Sequence, residues 1–284
     1  MPRRKRDTGA LPLPTIWQVP DDLWAKIDAI LRECDPVKPV GRKRIDQRKA
    51  LDGILYRLRS GVQWNQLPRV FGDESSVHRT FQRWVAGGIF ERIWATLAAE
   101  CADLGGVDWE WQAADAALGK ARLGGTSFGP NPTDRGKPGV KRSLLVEATG
   151  GPLSVVLGPA NTHDTKLLQQ TLNAVVIERP QPTEENPQHL CLDKGYDNPT
   201  GRQAAADHGY TPHIRRIGEE KLDENHEPKH PARRWVVERT LSWLSKCRAI
   251  LVRYDKKARN YLALVQFACA LLWYRRQHRL CILR

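Results

Sequence analysis

The stretch HLCLDKGYDN, residues 189–198, ends a short apolar run on Asp193 and turns at once through Gly195. A carboxylate at the mouth of a buried strand either caps the turn or holds a cation, and a cation needs further ligands. Asp115 and Glu238 are the candidates that the order of elements suggests, while Asp108, Glu110, Asp134 and Asp197 compete on spacing alone. Three carboxylates brought together repel one another by roughly 4 kcal/mol per pair at about 4 Å and an effective dielectric near 20. Divalent cations remove that penalty. An all-oxygen ligand set without cysteine or histidine selects Mg²⁺ or Mn²⁺ over zinc. Two such ions suit phosphodiester chemistry, one activating the attacking oxygen and the other stabilising the leaving oxygen. Each residue also has an ordinary role: Asp115 in a turn, Asp193 as a cap, and Glu238 paired with Arg234 four positions back on one helical face.

The elements that must position these residues are legible in outline. Residues 1–20 are basic and proline-rich and read as a loose arm. Apolar periodicity places helices in 20–34, 44–64, 73–88 and 89–101, the third capped by Ser75 or Ser76 and stopped at Gly87 and Gly88. Residues 21–104 thus form a small all-helical domain. The third helix sets His78, Arg79, Gln82 and Arg83 around Val77, Phe81 and Trp84, as a helix-turn-helix presents polar groups to a groove; a solvated basic face reads equally well. After Gly105 and Gly106 the pattern changes. Strands are expected at 107–118, 142–149 and 152–160, a helix at 162–176, a strand at 188–193, a helix at 198–209 and a strand at 210–215. A charged loop follows, then helices at 233–246 and from Ala258 onward, with a basic tail from Tyr274. This is the element order of a ribonuclease H-like α/β fold with a mixed five-stranded sheet, in which the first and fourth strands are neighbours. Asp115 is expected at the end of the first strand, beside Asp193, with Glu238 brought alongside by the later helix.

Composition narrows the partners. The 284 residues carry 45 Lys and Arg against 32 Asp and Glu, a formal net charge of +13, and the chain favours a polyanion such as nucleic acid. Six cysteines without a CxxC pair argue against a zinc ribbon and for reduced, buried thiols in the cytoplasm. The longest apolar stretch, 261–274, is too short to span a bilayer and reads as a buried helix. The basic N-terminus shows no signal-peptide core. The run TDRGKPGVKR offers Arg135, Lys137, Lys141 and Arg142 among glycines, suited to backbone phosphates or to an ordinary basic hairpin. His163 and Asp164 open the helix after the third strand as supporting groups or as a cap. Lys256, Lys257 and Arg259 read as solvated charge at a helix start.

Four segments together carry a resemblance: GPNPTDRGKPGVKRSLLVEATGGPLSVVLGPANTHDTKLL, LCLDKGYD, YTPHIR, and RRWVVERTLSWLSKCRAILVRYDKKARNYLALVQFACALL. The chain closely resembles bacterial insertion-sequence transposases of the DDE type, within them the insertion sequence five family, over roughly residues 20–275. The resemblance implies a ribonuclease H-like catalytic domain over 105–284, with Asp115, Asp193 and Glu238 as a triad holding two Mg²⁺ or Mn²⁺ ions. It implies hydrolysis of double-stranded DNA at terminal inverted repeats and attack of the freed 3′-hydroxyl on target DNA. It further implies a dimer or higher oligomer on DNA, at the bacterial nucleoid. Arg79, Arg83, Arg135, Lys137, Lys141, Arg142 and Arg234 are the expected DNA contacts. Around the glutamate, Arg234 and Glu238 fit the family's pattern, while its Tyr position holds Pro231 and its Lys position holds Ser245, with Lys246 next. A copy that binds repeats without cutting is the alternative.

Overall fold

The computed structural model describes residues 16–36, 40–41, 43–214 and 233–282. The first 15 residues, the charged loop before Arg233 and Pro231 therefore lie outside the described residues.

Four helices come first: α1 (Asp21–Cys34), α2 (Gln47–Ser60), α3 (Glu74–Ala86) and α4 (Ile89–Asp103). Each buries one apolar stripe, such as Leu23, Ile27, Ile30 and Leu31 of α1. The Asp46 carboxylate caps α2 by accepting from Lys49 N at 2.8 Å, and Gly61, at φ 71°, ends it in the left-handed region. The cap of α3 is Asp73 rather than Ser75 or Ser76. Its carboxylate accepts from Ser76 N at 2.9 Å and from the Ser76 hydroxyl at 2.8 Å, and its negative charge faces the positive end of the helix, which a serine cannot offer.

The sheet follows as β1 (Trp111–Ala121), β2 (Gly129–Pro130), β3 (Pro138–Glu147), β4 (Pro152–Pro159), β5 (Gln188–Leu192), β6 (Tyr210–Ile214) and β7 (Val252–Arg253). Helices α5 (Asp164–Asn173) and α6 (Pro199–Asp207) join the middle strands, and α7 (Trp235–Ser245), α8 (Arg248–Leu251) and α9 (Ala258–Ile282) complete the fold. β3 lies antiparallel between β4 and β1, and β5 and β6 run parallel to β1 on its other side. The ribonuclease H-like order holds, but the sheet has seven strands rather than five. The two additions, β2 and β7, are two residues each and too short to leave a period in the sequence. β1 also starts later and runs farther than expected, because its ladder with β3 continues to Lys120↔Gly139. Asp115 is consequently mid-strand and not at a strand end.

α9 is the organising helix. It is apolar on most of its circumference, with Tyr261, Leu264, Val265, Phe267, Cys269 and Trp273 buried, because it is covered on one side by the sheet and on the other by α4. Phe90 and Phe267 pack with ring centroids 5.6 Å apart, and the indoles of Trp94 and Trp273 both donate to Pro152 O, at 3.1 and 2.7 Å. The helical segment and the sheet thereby share one continuous core. The C-terminal residues expected as a basic tail are instead the last turns of α9. Tyr274 donates to Asp22 and the Gln277 amide to Glu100, so the polar residues of that stretch fasten the helix to α1 and α4. No disulfide forms among the described residues, and Cys34 and Cys281 are exposed rather than buried. No described helix is long and apolar enough to cross a membrane.

Candidate active site

The free edge of β1 is shared by two strands. β5 pairs with residues 111–113 and β7 with residues 120–121, so neither ladder covers 114–119. Asp115 lies in this opening. The register Ala113↔Cys191 sets Asp193, immediately past the end of β5, level with Asp115 on the neighbouring parallel strand. A crevice beyond the carboxyl end of a parallel strand is where open α/β sheets place their sites. The Asp193 carboxylate accepts from Gly195 N at 2.7 Å and so caps the 3-10 turn Lys194–Tyr196 that carries the chain away from the sheet.

α7 covers this face of the sheet. Ala117 pairs with Arg142, which therefore points to the same side as Asp115, and Arg142 reaches Ser245 Oγ at 3.3 Å and Ile250 O at 3.2 Å. Glu238 lies one turn into α7, exposed, with its Oε1 held by Arg234 Nε at 3.1 Å. Burial pushes the Asp115 carboxyl up to about 6. The Ala116 amide at 2.7 Å works against that rise, the charges of Asp193 and Glu238 add to it, and Arg234 offsets part of it. The three carboxylates thus share one electrostatic field. The side chains as placed satisfy local donors, and among the described residues no three acidic, histidine or cysteine side chains converge closely enough to grip a metal ion. The donor set nevertheless fits a hard divalent cation: all three candidate ligands are carboxylates, and burial, with a smaller part from the charges of Asp193 and Glu238, raises the pKa of the most buried of them.

The other acidic candidates serve structure. Asp108 accepts from Glu110 N, Glu110 accepts from the Trp111 indole, Asp134 meets Lys120 at 3.4 Å and Asp197 meets Arg202 at 2.7 Å.

The expected DNA contacts divide. Arg79, Arg135 and Lys137 are exposed. Lys141 and Arg142 are buried and cannot reach a phosphate. Lys141 Nζ donates to Thr162 O at 2.6 Å and pairs with Asp164 at 2.5 Å, whereas Arg142 bonds the ends of α7 and α8. β3 is covered on both faces, so its cations run their stems through the core to helix termini. Arg83 is half-buried and bound to Asp35 at 2.9 Å. His78, expected on the polar face, stacks on Trp64 with centroids 4.6 Å apart, and burial lowers its pKa. His163 caps α5, its Nδ1 accepting from Thr165 N at 3.4 Å, while Asp164 is engaged by Lys141. Ser245, at the position of the family's lysine, donates to Leu241 O at 2.8 Å and receives Arg142.

One residue beside the carboxylates escaped the sequence reading. Tyr196 is fully buried, its hydroxyl has no hydrogen-bond partner, and burial together with the nearby charges of Asp164, Asp115 and Asp193 raises its pKa. The only sequence signal was its place three residues after Asp193.

Comparison with known proteins agrees with this architecture. A family model described as "Transposase DDE domain" matches residues 111–273, and one described as "Putative transposase of IS4/5 family" matches residues 19–94. A relative from Burkholderia cepacia, "Putative transposase for insertion sequence element IS402", is 33% identical over 153 residues, covering 53% of this chain and 70% of the relative. A second from that organism, "Insertion element IS402 uncharacterized 16.2 kDa protein", is 31% identical over 118 residues, covering 40% of this chain and 80% of the relative. An uncharacterized protein, y4sN, of Sinorhizobium fredii is 32% identical over 103 residues, covering 36% and 74%. With a mixed sheet, flanking helices and a DDE domain model that spans more than half of its length, the chain belongs to the insertion-sequence DDE transposases.

Proposed function

We propose that the chain binds the terminal inverted repeats of an insertion sequence, cuts DNA there, and joins the freed end to a target duplex. Asp115, Asp193 and Glu238 are the proposed catalytic carboxylates and ligands of two Mg²⁺ or Mn²⁺ ions. Divalent cations bound there would activate the attacking oxygen and stabilise the leaving one. In the first step a water oxygen attacks phosphorus, and the 3′ oxygen leaves and takes up a proton. In the second, that 3′-hydroxyl attacks a phosphorus of the target strand, whose own 3′ oxygen leaves. Arg234, beside Glu238, would orient a phosphate, and exposed Arg79, Arg135 and Lys137 would hold backbone. The helical segment 21–104 would read the repeat and 105–284 would carry the chemistry. Two ends processed together require a dimer or larger assembly, acting in the cytoplasm on nucleoid DNA.

The observation that carries this reading is the level placement of Asp115, on β1, and Asp193, immediately past the end of the neighbouring parallel strand β5, in an opening of the sheet where the Asp115 carboxyl is raised to about 6. The test incubates the full chain with terminal-repeat duplex and Mn²⁺, comparing wild type with Asp193→Ala. Nicking by the wild type is expected, reduced to background in the variant. Wild-type protein that binds the duplex and nicks nothing marks a copy that only recognises repeats. Nicking without joining of a pre-nicked end marks a nuclease.

A further inference from the structure

The outward side of α7 carries a feature that takes no part in the carboxylate site. Trp235, Arg239 and Trp243 are spaced four apart and form one stripe, with Arg239 about 100° round the helix from Glu238. The Arg239 guanidinium carbon lies 4.6 Å from the centroid of each indole, so the cation is held between two rings. Arg239 donates to Thr149 O at 2.5 Å, and the turn there is shaped to it: a Cβ on Gly150, at φ 96°, would stand 2.8 Å from Arg239 Nη2. Burial lowers the Arg239 pKa, the charge of Glu147 works against that, and the charges of Arg279 and Arg276 add to it. Arg276 is paired with Glu147, whereas Arg279 is exposed. Trp235 is 54% exposed despite its stacking. A rigid ladder of tryptophan and arginine at the surface has the composition of an interface hot spot.

The loop 174–187, between α5 and β5, has the opposite character. It carries Glu178, Glu184 and Glu185, all exposed and meeting no cation among the described residues, in a chain of net charge +13. Pro180, Pro182 and Pro187 stand among them. The loop is fastened from within. The Arg179 guanidinium lies 3.7 Å from the Tyr210 ring centroid and donates to His208 O at 2.8 Å and Gln188 Oε1 at 2.6 Å. The Gln188 amide donates to Pro180 O at 2.8 Å, and Asn186 N to Thr183 Oγ1 at 3.1 Å. Ladder and loop occupy the same end of the sheet. Arg233, 4.9 Å over Trp111, sets the start of α7 at the start of β1, and the pair Gln112↔Glu147 puts the β3–β4 turn there. The loop leads into β5, which starts beside β1 in the parallel register Trp111↔His189. Asp193 lies past the other end of β5.

We infer that this end of the molecule is an interface between two copies of the chain, in which the Trp235–Arg239–Trp243 ladder of one copy takes the acidic, proline-bearing loop 178–187 of the other. The inference deepens the proposed function, on which it rests for the need of two copies at two DNA ends. Proline rings pack on indoles and carboxylates pair with a guanidinium, so both parts of the loop's chemistry are met. Two-fold symmetry repeats the contact, ladder to loop and loop to ladder. The charge of +13 on each copy opposes approach, but it is screened beyond about 8 Å at physiological ionic strength, whereas the opposite charges act in contact. DNA suits this end poorly, because the three carboxylates there repel phosphate. Joined in this way, both copies keep the Asp193 end of the sheet open.

Sedimentation equilibrium of the full chain, without DNA or metal, tests this with the variants Trp235→Ser and Glu184→Lys/Glu185→Lys. The wild type is expected to form a dimer. Each variant changes exposed side chains, so each is expected to melt at the wild-type temperature while its dimer dissociates about tenfold or more readily. Mixing the two variants is expected to recover association, because a mixed pair keeps one intact ladder facing one intact loop. A monomeric wild type overturns the inference, as do variants that dimerise as tightly as the wild type. Two weakened variants whose mixture gains nothing put ladder and loop in separate contacts and overturn it as well. Variants that dimerise normally but bind the terminal-repeat duplex more weakly assign this end to DNA, with the same consequence. The association measurements hold neither DNA nor cation, so a failure here leaves the proposed cleavage standing, and the nicking assay judges that separately.

Discussion

Asp35 and Asp115 are both acids withdrawn from solvent, and the protein treats them in opposite ways. Asp35, just past α1, accepts from Arg44 at 2.7 Å, from Arg83 at 2.9 Å and from the Trp84 indole at 2.8 Å. Burial pushes its carboxyl up, but the bonds from Arg83 and Trp84 and the Arg83 charge outweigh that and hold it below the usual range. Asp115 receives one backbone amide, sees two further carboxylates, and rises to about 6. A structural carboxylate is given its cations by the chain. One left without them, in an opening of the sheet and next to its own kind, keeps a raised pKa that the proposed cations would lower.

Breaking the first half of the comparison should have the largest effect. Asp35→Ala strands Arg44 and Arg83 where α1 meets α3, and urea unfolding should show a loss of about 3–5 kcal/mol. The second half responds with the opposite sign. With its folded pKa near 6 and an unfolded value near 3.8, Asp115 makes the folded state bind the extra proton between those values. Its contribution to stability is therefore lost as pH rises through that window. Asp115→Asn should stabilise the metal-free protein by about 1–2 kcal/mol at pH 7, and the gain should vanish below about pH 4. Unfolding curves in chelator at the two pH values measure this directly. The smallest effect sharpens the contrast further. The Tyr196 hydroxyl is buried without a partner, so Tyr196→Phe should change stability by no more than about 0.5 kcal/mol, or raise it. A change in metal-dependent nicking at unchanged stability would then tie that hydroxyl to the carboxylates.

Much of this was legible in the residues, and what was not has physical causes. The apolar runs and glycine stops marked most helices and the five longer strands, and the parallel pairing of β1 with β5 follows from their order. The position of Asp115 within β1 was hidden because the strand continues through Gly119 and Lys120, residues that read as a turn. In TDRGKPGVKR four cations look alike on paper. Arg135 and Lys137 fall in the turn and stay exposed, while Lys141 and Arg142 enter β3, where helices on both faces turn basic stems into structural ties. The place of Glu238 on α7 was legible, but its present partner, Arg234, competes with any cation for its oxygen.

Direct titration of Mn²⁺ into the metal-free full chain, by calorimetry at neutral pH, bears most closely on the carboxylate opening. The wild type is expected to bind, with an affinity at least about tenfold weaker for each of Asp115→Asn, Asp193→Asn and Glu238→Gln. Wild-type affinity in all three variants would contradict it.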